Sequence, residues 1–344
     1  MPNLRAMVDW RVARMISGGI AGNGDMPILP GDLIGLCDDA EQRVSEYAQL
    51  KPLTPLPSPE AVGRRAWTDA NISGMRGVLD PLAEKLGDGA GPFAGAIRSA
   101  GGLVIGAEVG GLLGLLSQRV LGQYEVPPTD PERPARLLFV APNLVEAADR
   151  LEVDAAQMLR WVVLHEVTHA VQFSSVGWLR AHVASMVAEL AEALQVKLDA
   201  GGLLKLDTTE LRSLADRVRD EGVMGVALGP ERRELVDRIQ ATMALIEGHA
   251  EHVMDAAGES VLENVDDLRS ALEKRRKDRP PWLKFVERLL GLEMKMRQYD
   301  VGKKFCDAVV EREGIARLNA AWSAPEALPT WAELEAPETW LARA

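Results

Sequence analysis

A net charge of −12, from 39 Lys+Arg against 51 Asp+Glu in 344 residues, argues against nucleic acid or an anionic lipid surface as the main partner of this chain. The length suits one large domain or two ordinary ones, and a hydrophobic fraction of 47% supplies a substantial core. Aromatics are scarce at 5% and long β-rich stretches are few, so the fold class expected is mainly α with at most a small β element.

The first stretch, MPNLRAMVDWRVARMISGG, reads as an amphipathic helix, because Asp9, Arg11 and Arg14 interrupt any apolar run of signal-peptide length. The segment KPLTPLPSPE (residues 51–60) carries Pro52, Pro55, Pro57 and Pro59 and excludes helix. A helix is expected from about Ala61 to Leu86. The glycine-rich run of residues 99–124 follows, and then RLLFVAPN (residues 136–143), the best strand candidate. From Asp154 onward the 3.6-residue period dominates, with breaks at Gly201-Gly202, at Gly229-Pro230 and at the basic turn EKRRKDRPP (residues 273–281), which reads as a solvated loop. The Pro- and Trp-bearing tail from Trp322 is expected to wrap the surface. Residues 1–60 thus form N-terminal helices and a Pro-rich link, and 61–344 the main domain, the whole being integrated. Cys37 and Cys306 lie far apart and form no metal motif, which fits a reducing compartment. A cytoplasmic location is the expectation.

Gly102, Gly106, Gly110 and Gly114 recur every fourth residue and line one ridge of a helix. Each glycine costs a helix about 1 kcal/mol relative to alanine, so four in register call for a neighbouring backbone at close range. The 20 residues between Arg98 and Arg119 could cross a bilayer. Glu108 in the middle would be costly in lipid, and a buried soluble helix is the expected reading. The stripe could also serve as a contact between copies of the chain.

WVVLHEVTHAVQF (residues 161–173) is apolar nearly all round and yet holds His165, Glu166 and His169. Asp154 is a suitable N-cap for a helix reaching about Ser174. Histidines at i and i+4 share one face, about 5–6 Å apart at Cβ, so both can ligate one Zn2+ ion. Glu166 projects beside the metal, where it can take a proton from an activated water. A bound cation also accounts for ionisable groups on a buried helix.

A catalytic zinc needs a third protein ligand and an open position. A HExxHxxGxxH continuation would need histidine at 175, where Ser175 stands. LIEGHAEHVMD (residues 245–255) offers Glu247 and Glu251 on one helix face. One can bind the metal while the other accepts the free N–H of a ligating histidine. Gly248 leaves room for the metal helix to approach. His249, His252 and His182 are the alternatives.

HEVTHAVQF followed by EGHAEHV resembles the gluzincin pattern, in which a later helix supplies the glutamate. With Tyr299-Asp-Val-Gly302-Lys-Lys-Phe305, the GQY of residues 122–124 and the glycine helix, the set is similar to the bacterial zincin-like metallopeptidase family 2. Members of that family are sometimes labelled as associated with deazaflavin coenzyme biosynthesis. The resemblance runs from Asp9-Trp10 to the LPTWAELEAPETW of the C-terminus. It implies a zincin-like helical domain over 61–344, Zn2+ held by His165, His169 and Glu247, and Glu251 in support. Glu166 would be the general base. Tyrosines are few, Tyr47, Tyr124 and Tyr299, so Tyr299 is the candidate donor to the oxyanion, with His249 or His252 behind it. The function expected is a zinc metallopeptidase acting on a peptide or small protein. Two other readings are a non-catalytic, metal-stabilised helical interaction protein and a membrane-associated metallopeptidase. The interval from His169 to Glu247 is longer than in compact gluzincins, and only residues 137–140 could serve as a strand to hold a peptide.

Overall fold

Asp9 sets the first helix: its carboxylate accepts from the N–H groups of Arg11 and Val12 and opens α1 (Trp10–Ala21). A computed structural model of the chain describes residues 8–22, 24, 26–86, 94–127, 130, 133–195, 233–263, 268, 270–271 and 295–343, without the side chains of 81–101, 191, 193–195, 233 and 295–300. After α1 come α2 (Leu33–Ala48), β1 (Pro59–Val62), α3 (Arg64–Leu86), α4 (Ala94–Ser117), β2 (Gly122–Glu125) and β3 (Arg136–Val140). Then follow α5 (Ala141–Leu151), α6 (Ala155–Ser175), α7 (Leu179–Gln195), α8 (Arg233–Gly258), α9 (Lys295–Glu313), α10 (Ile315–Asn319), α11 (Trp331–Glu335) and α12 (Pro337–Leu341). The mainly α class with one small sheet is therefore what the chain adopts. The basic turn at 273–281 and the breaks at 201–202 and 229–230 lie outside the described residues.

The chain forms two compact units. One comprises Met1–Ser45, Lys51–Ala188 and Ser260–Glu263; the other comprises Glu46–Leu50, Glu189–Glu259 and Asn264–Ala344. In the first unit the sheet runs in the order β1-β3-β2, with β1 parallel and β2 antiparallel to the central β3. Leu137, Leu138, Phe139 and Val140 of β3 are all buried, as a strand covered on both faces requires. The Pro-rich segment is non-helical, as expected, but it ends in a strand. Pro59 is tolerated there because it is the first residue of β1. Arg136 clamps this pairing from β3, with Nε and Nη2 donating to the two oxygens of Glu60 at 2.9 and 2.6 Å. Those bonds hold the Glu60 carboxyl below its ordinary range. Asn143, buried at the start of α5, donates to the carbonyls of Ser117 and Val120 at 2.7 and 2.6 Å and accepts from Arg64 at 2.6 Å. It so satisfies backbone acceptors at the end of α4.

The glycine ridge packs inside the first unit. A Cβ on Gly106 or Gly110 would run into the carbonyls of Asp9 and Ala13, and one on Gly114 would meet Ile20 at 2.7 Å. The Asp9 N–H also donates to the Gly102 carbonyl at 2.8 Å. The groove expected to admit a second backbone is thus filled by α1 of the same chain. Glu108 lies on the opposite, exposed face. Among the described residues no helix is long and apolar enough to cross a membrane.

In the second unit α8 and α9 cross at glycine on both sides. A Cβ on Gly248 would strike the Gly302 backbone, and one on Gly302 the Ala244 carbonyl. The space beside Gly248, expected to admit the metal helix, is occupied by α9. Phe305 is fully buried and meets the Trp340 ring at 5.4 Å, over which Arg317 sits at 4.7 Å. The tail is held by a capping box between Thr330 and Glu333.

The α1–α4 contact makes a direct prediction. Gly110→Ala should destabilise the chain by about 1–3 kcal/mol through overpacking. Gly111→Ala, whose Cβ meets nothing within 4 Å, should be neutral or stabilise by up to about 1 kcal/mol through helix propensity. Denaturant unfolding of both variants checks this, and equal effects at the two positions would contradict the packing.

Candidate metal centre

Helix α6 begins where the sequence indicates. Asp154 caps it by accepting from the Gln157 N–H at 2.9 Å. Met158, Leu159, Val162, Val163, Leu164, Val167, Ala170 and Val171 are all buried. At about 1.5–3 kcal/mol for each fully buried large aliphatic side chain, this helix is anchored firmly enough to hold polar groups to fixed positions.

His165 and His169 emerge one turn apart on the half-buried side. Their ring centroids are 4.8 Å apart and their planes lie at 89°. Trp161, a turn before His165, stacks on its imidazole with centroids 5.9 Å apart and planes parallel to within 1°. The tryptophan face therefore limits how that ring can turn. Thr168 donates back to the Leu164 carbonyl at 2.6 Å and takes no part in the cluster.

Glu166 is only 8% exposed, and an ionised carboxylate so buried is costly unless hydrogen-bonded. Its Oε2 accepts from the Tyr124 backbone N–H at 2.8 Å, a charge-assisted bond. Gly122, two residues earlier on β2, faces the same side chain. The Tyr124 ring continues along the end of α6, 5.9 Å from Phe173. Burial pushes the Tyr124 hydroxyl above its ordinary value, opposed by a hydrogen bond with Ser174 and by the Arg180 charge. Glu125, also buried on β2, is likewise raised by burial, against the pull of Arg133 and Arg136.

The candidates from the second unit fall into two groups. Glu247 and Glu251 are half-buried, one turn apart on α8. His249 is buried edge-on against the Trp322 ring at 5.3 Å. His252 has both ring nitrogens engaged, Nε2 with the Tyr47 hydroxyl at 2.8 Å and Nδ1 with Asp307 at 2.7 Å. Lys303 joins the same carboxylate at 2.8 Å. Burial pushes the Asp307 carboxyl up, but the hydrogen bonds from Lys303 and His252 hold it below its ordinary range. His252 is thus a packing and hydrogen-bonding residue, which removes it from the alternative ligands. His182, in the first unit, sits edge-on to Trp178 at 5.5 Å. Tyr299 belongs to α9, but its side chain lies outside those described.

Histidine nitrogens and carboxylate oxygens are a donor set suited to zinc. The α6 cluster adds a carboxylate oriented by a backbone amide and a glycine beside it. Gly122, Tyr124 and Trp161 were not identified as site residues from sequence. The GQY tripeptide was the one trace of the first two.

The sequence profile of the zincin-like metallopeptidase family matches residues 8–341. Among solved structures, the chain is similar to one from Chloroflexus aurantiacus, provisionally assigned as a hydrolase and described as having a novel fold. The two share 28% identity over 98% of each chain, with a TM-score of 0.72. Comparison with curated proteins returns no match.

Proposed function

We propose that this chain, which belongs to the zincin-like metallopeptidase family, is a zinc-dependent hydrolase that cleaves peptide bonds in a peptide or small protein. The observation that carries the reading is the α6 cluster: two imidazoles on one face and, between them in sequence, a buried carboxylate fixed by the Tyr124 amide. In this reading His165, His169 and Glu247 are the three protein ligands of the ion. Of the two carboxylates on α8, Glu247 heads the EGxAE pattern and is the ligand. Glu251 accepts a hydrogen bond from a ligating imidazole and fixes its tautomer.

Zinc, when bound, supplies Lewis acidity toward the scissile carbonyl and the attacking water. Glu166 accepts the proton that the water gives up as its oxygen adds to the carbonyl carbon. It returns that proton to the nitrogen as the C–N bond breaks, so the leaving group departs as a neutral amine. Tyr299 is the donor proposed for the developing oxyanion. The reading goes with a cytoplasmic location, supported by two buried, free thiols, Cys37 and Cys306; burial pushes Cys37 up to about 12.

Purified chain should carry about one zinc. Glu166→Gln should keep that zinc and lose peptide hydrolysis by at least about a hundredfold, as expected when a general base is removed. Absence of zinc from protein made in zinc-replete medium would overturn the reading.

Glu247→Ala and Glu251→Ala should differ in order. Loss of a supporting group costs about 10–100-fold in metal affinity, so Glu251→Ala should bind zinc more weakly but retain it. Glu247→Ala should lose most of its zinc. Competition titration with a chromophoric chelator measures both, and the reverse order would exchange the two roles.

A further inference from the structure

The register of the sheet decides which backbone groups of β2 face outward. The Val140 N–H donates to the Leu121 carbonyl at 2.9 Å, and the partners Gly122↔Phe139 and Tyr124↔Leu137 follow on. Bonded and non-bonded pairs alternate in an antiparallel ladder. Gly122 and Tyr124 therefore turn their N–H and C=O groups away from β3, toward the free edge. An edge N–H of this kind is what an added strand would use. At Tyr124 it is already taken, by Glu166 at 2.8 Å.

Gly122 supplies the room for that bond. Its φ is not in the left-handed region, so the backbone does not require glycine, and a glycine in a strand costs about 0.5–1 kcal/mol. Space does require it. A Cβ there would stand 2.7 Å from Glu166 Cγ, 2.9 Å from Val162 Cγ1 and 3.0 Å from Glu166 Oε1. Two of the three contacts are atoms of Glu166 itself, one of them a carboxylate oxygen.

We propose that Gly122 and the Tyr124 amide are positioning groups for Glu166, so that the edge of β2 holds the base in place instead of holding substrate. The proposal rests on the reading of Glu166 as the base. Gly122→Ala displaces the carboxylate and leaves His165 and His169 with their donors. A peptide laid along β2 finds the Tyr124 N–H occupied, so substrate is held by other groups.

The test is calorimetric binding of acetohydroxamate to the zinc-loaded full chain, with zinc content measured alongside. A hydroxamate gives its proton to a carboxylate placed beside the ion, so its affinity reports where that carboxylate stands. Gly122→Ala and Glu166→Gln should each keep one zinc and bind hydroxamate about tenfold more weakly, the lower end of losses for groups supporting a metal site. The double variant should bind no more weakly than Glu166→Gln, because both changes remove one interaction. Wild-type affinity in Gly122→Ala, or losses that multiply in the double variant, would overturn the positioning role while leaving Glu166 as base. Wild-type affinity in Glu166→Gln would overturn the base assignment, and the positioning role with it. If Gly122→Ala unfolds, the comparison is made in a Val162→Ala background, which relieves the contact on the core side and keeps the one with Glu166; the same outcomes decide it.

Discussion

A carboxylate buried against an amide is the constraint on which the centre of this molecule depends. Glu166 is nearly sealed from solvent, and the Tyr124 N–H points at its carboxyl. That bond requires β2 to be an edge strand with the right register. The register pairs Tyr124 with Leu137 of the buried central strand β3. It also requires α6 to lie close over β2, which a side chain at position 122 would prevent. The small sheet thus serves to place one acidic group in relation to one helix.

Close approach through glycine recurs through the chain. The ridge Gly106, Gly110, Gly114 brings α4 against α1. Gly248 and Gly302 let α8 and α9 touch backbone to backbone. Gly122 admits Glu166. Each gives up helix or strand propensity for a contact that any Cβ would obstruct. At these positions the left-handed backbone is not the reason for the glycine; the contacting atom is. The EGxAE and YxxGxxF patterns contain the two glycines of one helix crossing, so part of their spacing reflects packing and not chemistry.

Local signals were the ones legible in the sequence. The α6 helix could be read to within a residue because Asp154, the apolar period and the i, i+4 histidines all lie within its own 21 residues. The glycine ridge was legible as a groove, but its occupant was not, because α1 lies about a hundred residues away in sequence. Among the described residues, two of the three strands leave no signature in the sequence. Each has only four residues, and one begins at a proline, so neither shows a period. The roles of His252 and Gly248 are set by partners on another helix, Asp307 and Gly302, and nothing within EGHAEH distinguishes His252 from a metal ligand.

Zinc K-edge absorption of the purified, metal-loaded full chain tests the central claim most directly. The account predicts scattering from two imidazoles, with the remaining ligands oxygen, all at about 2.0–2.2 Å, and loss of one imidazole in His165→Ala. A spectrum without imidazole scattering, or one with sulfur at about 2.3 Å, would contradict it.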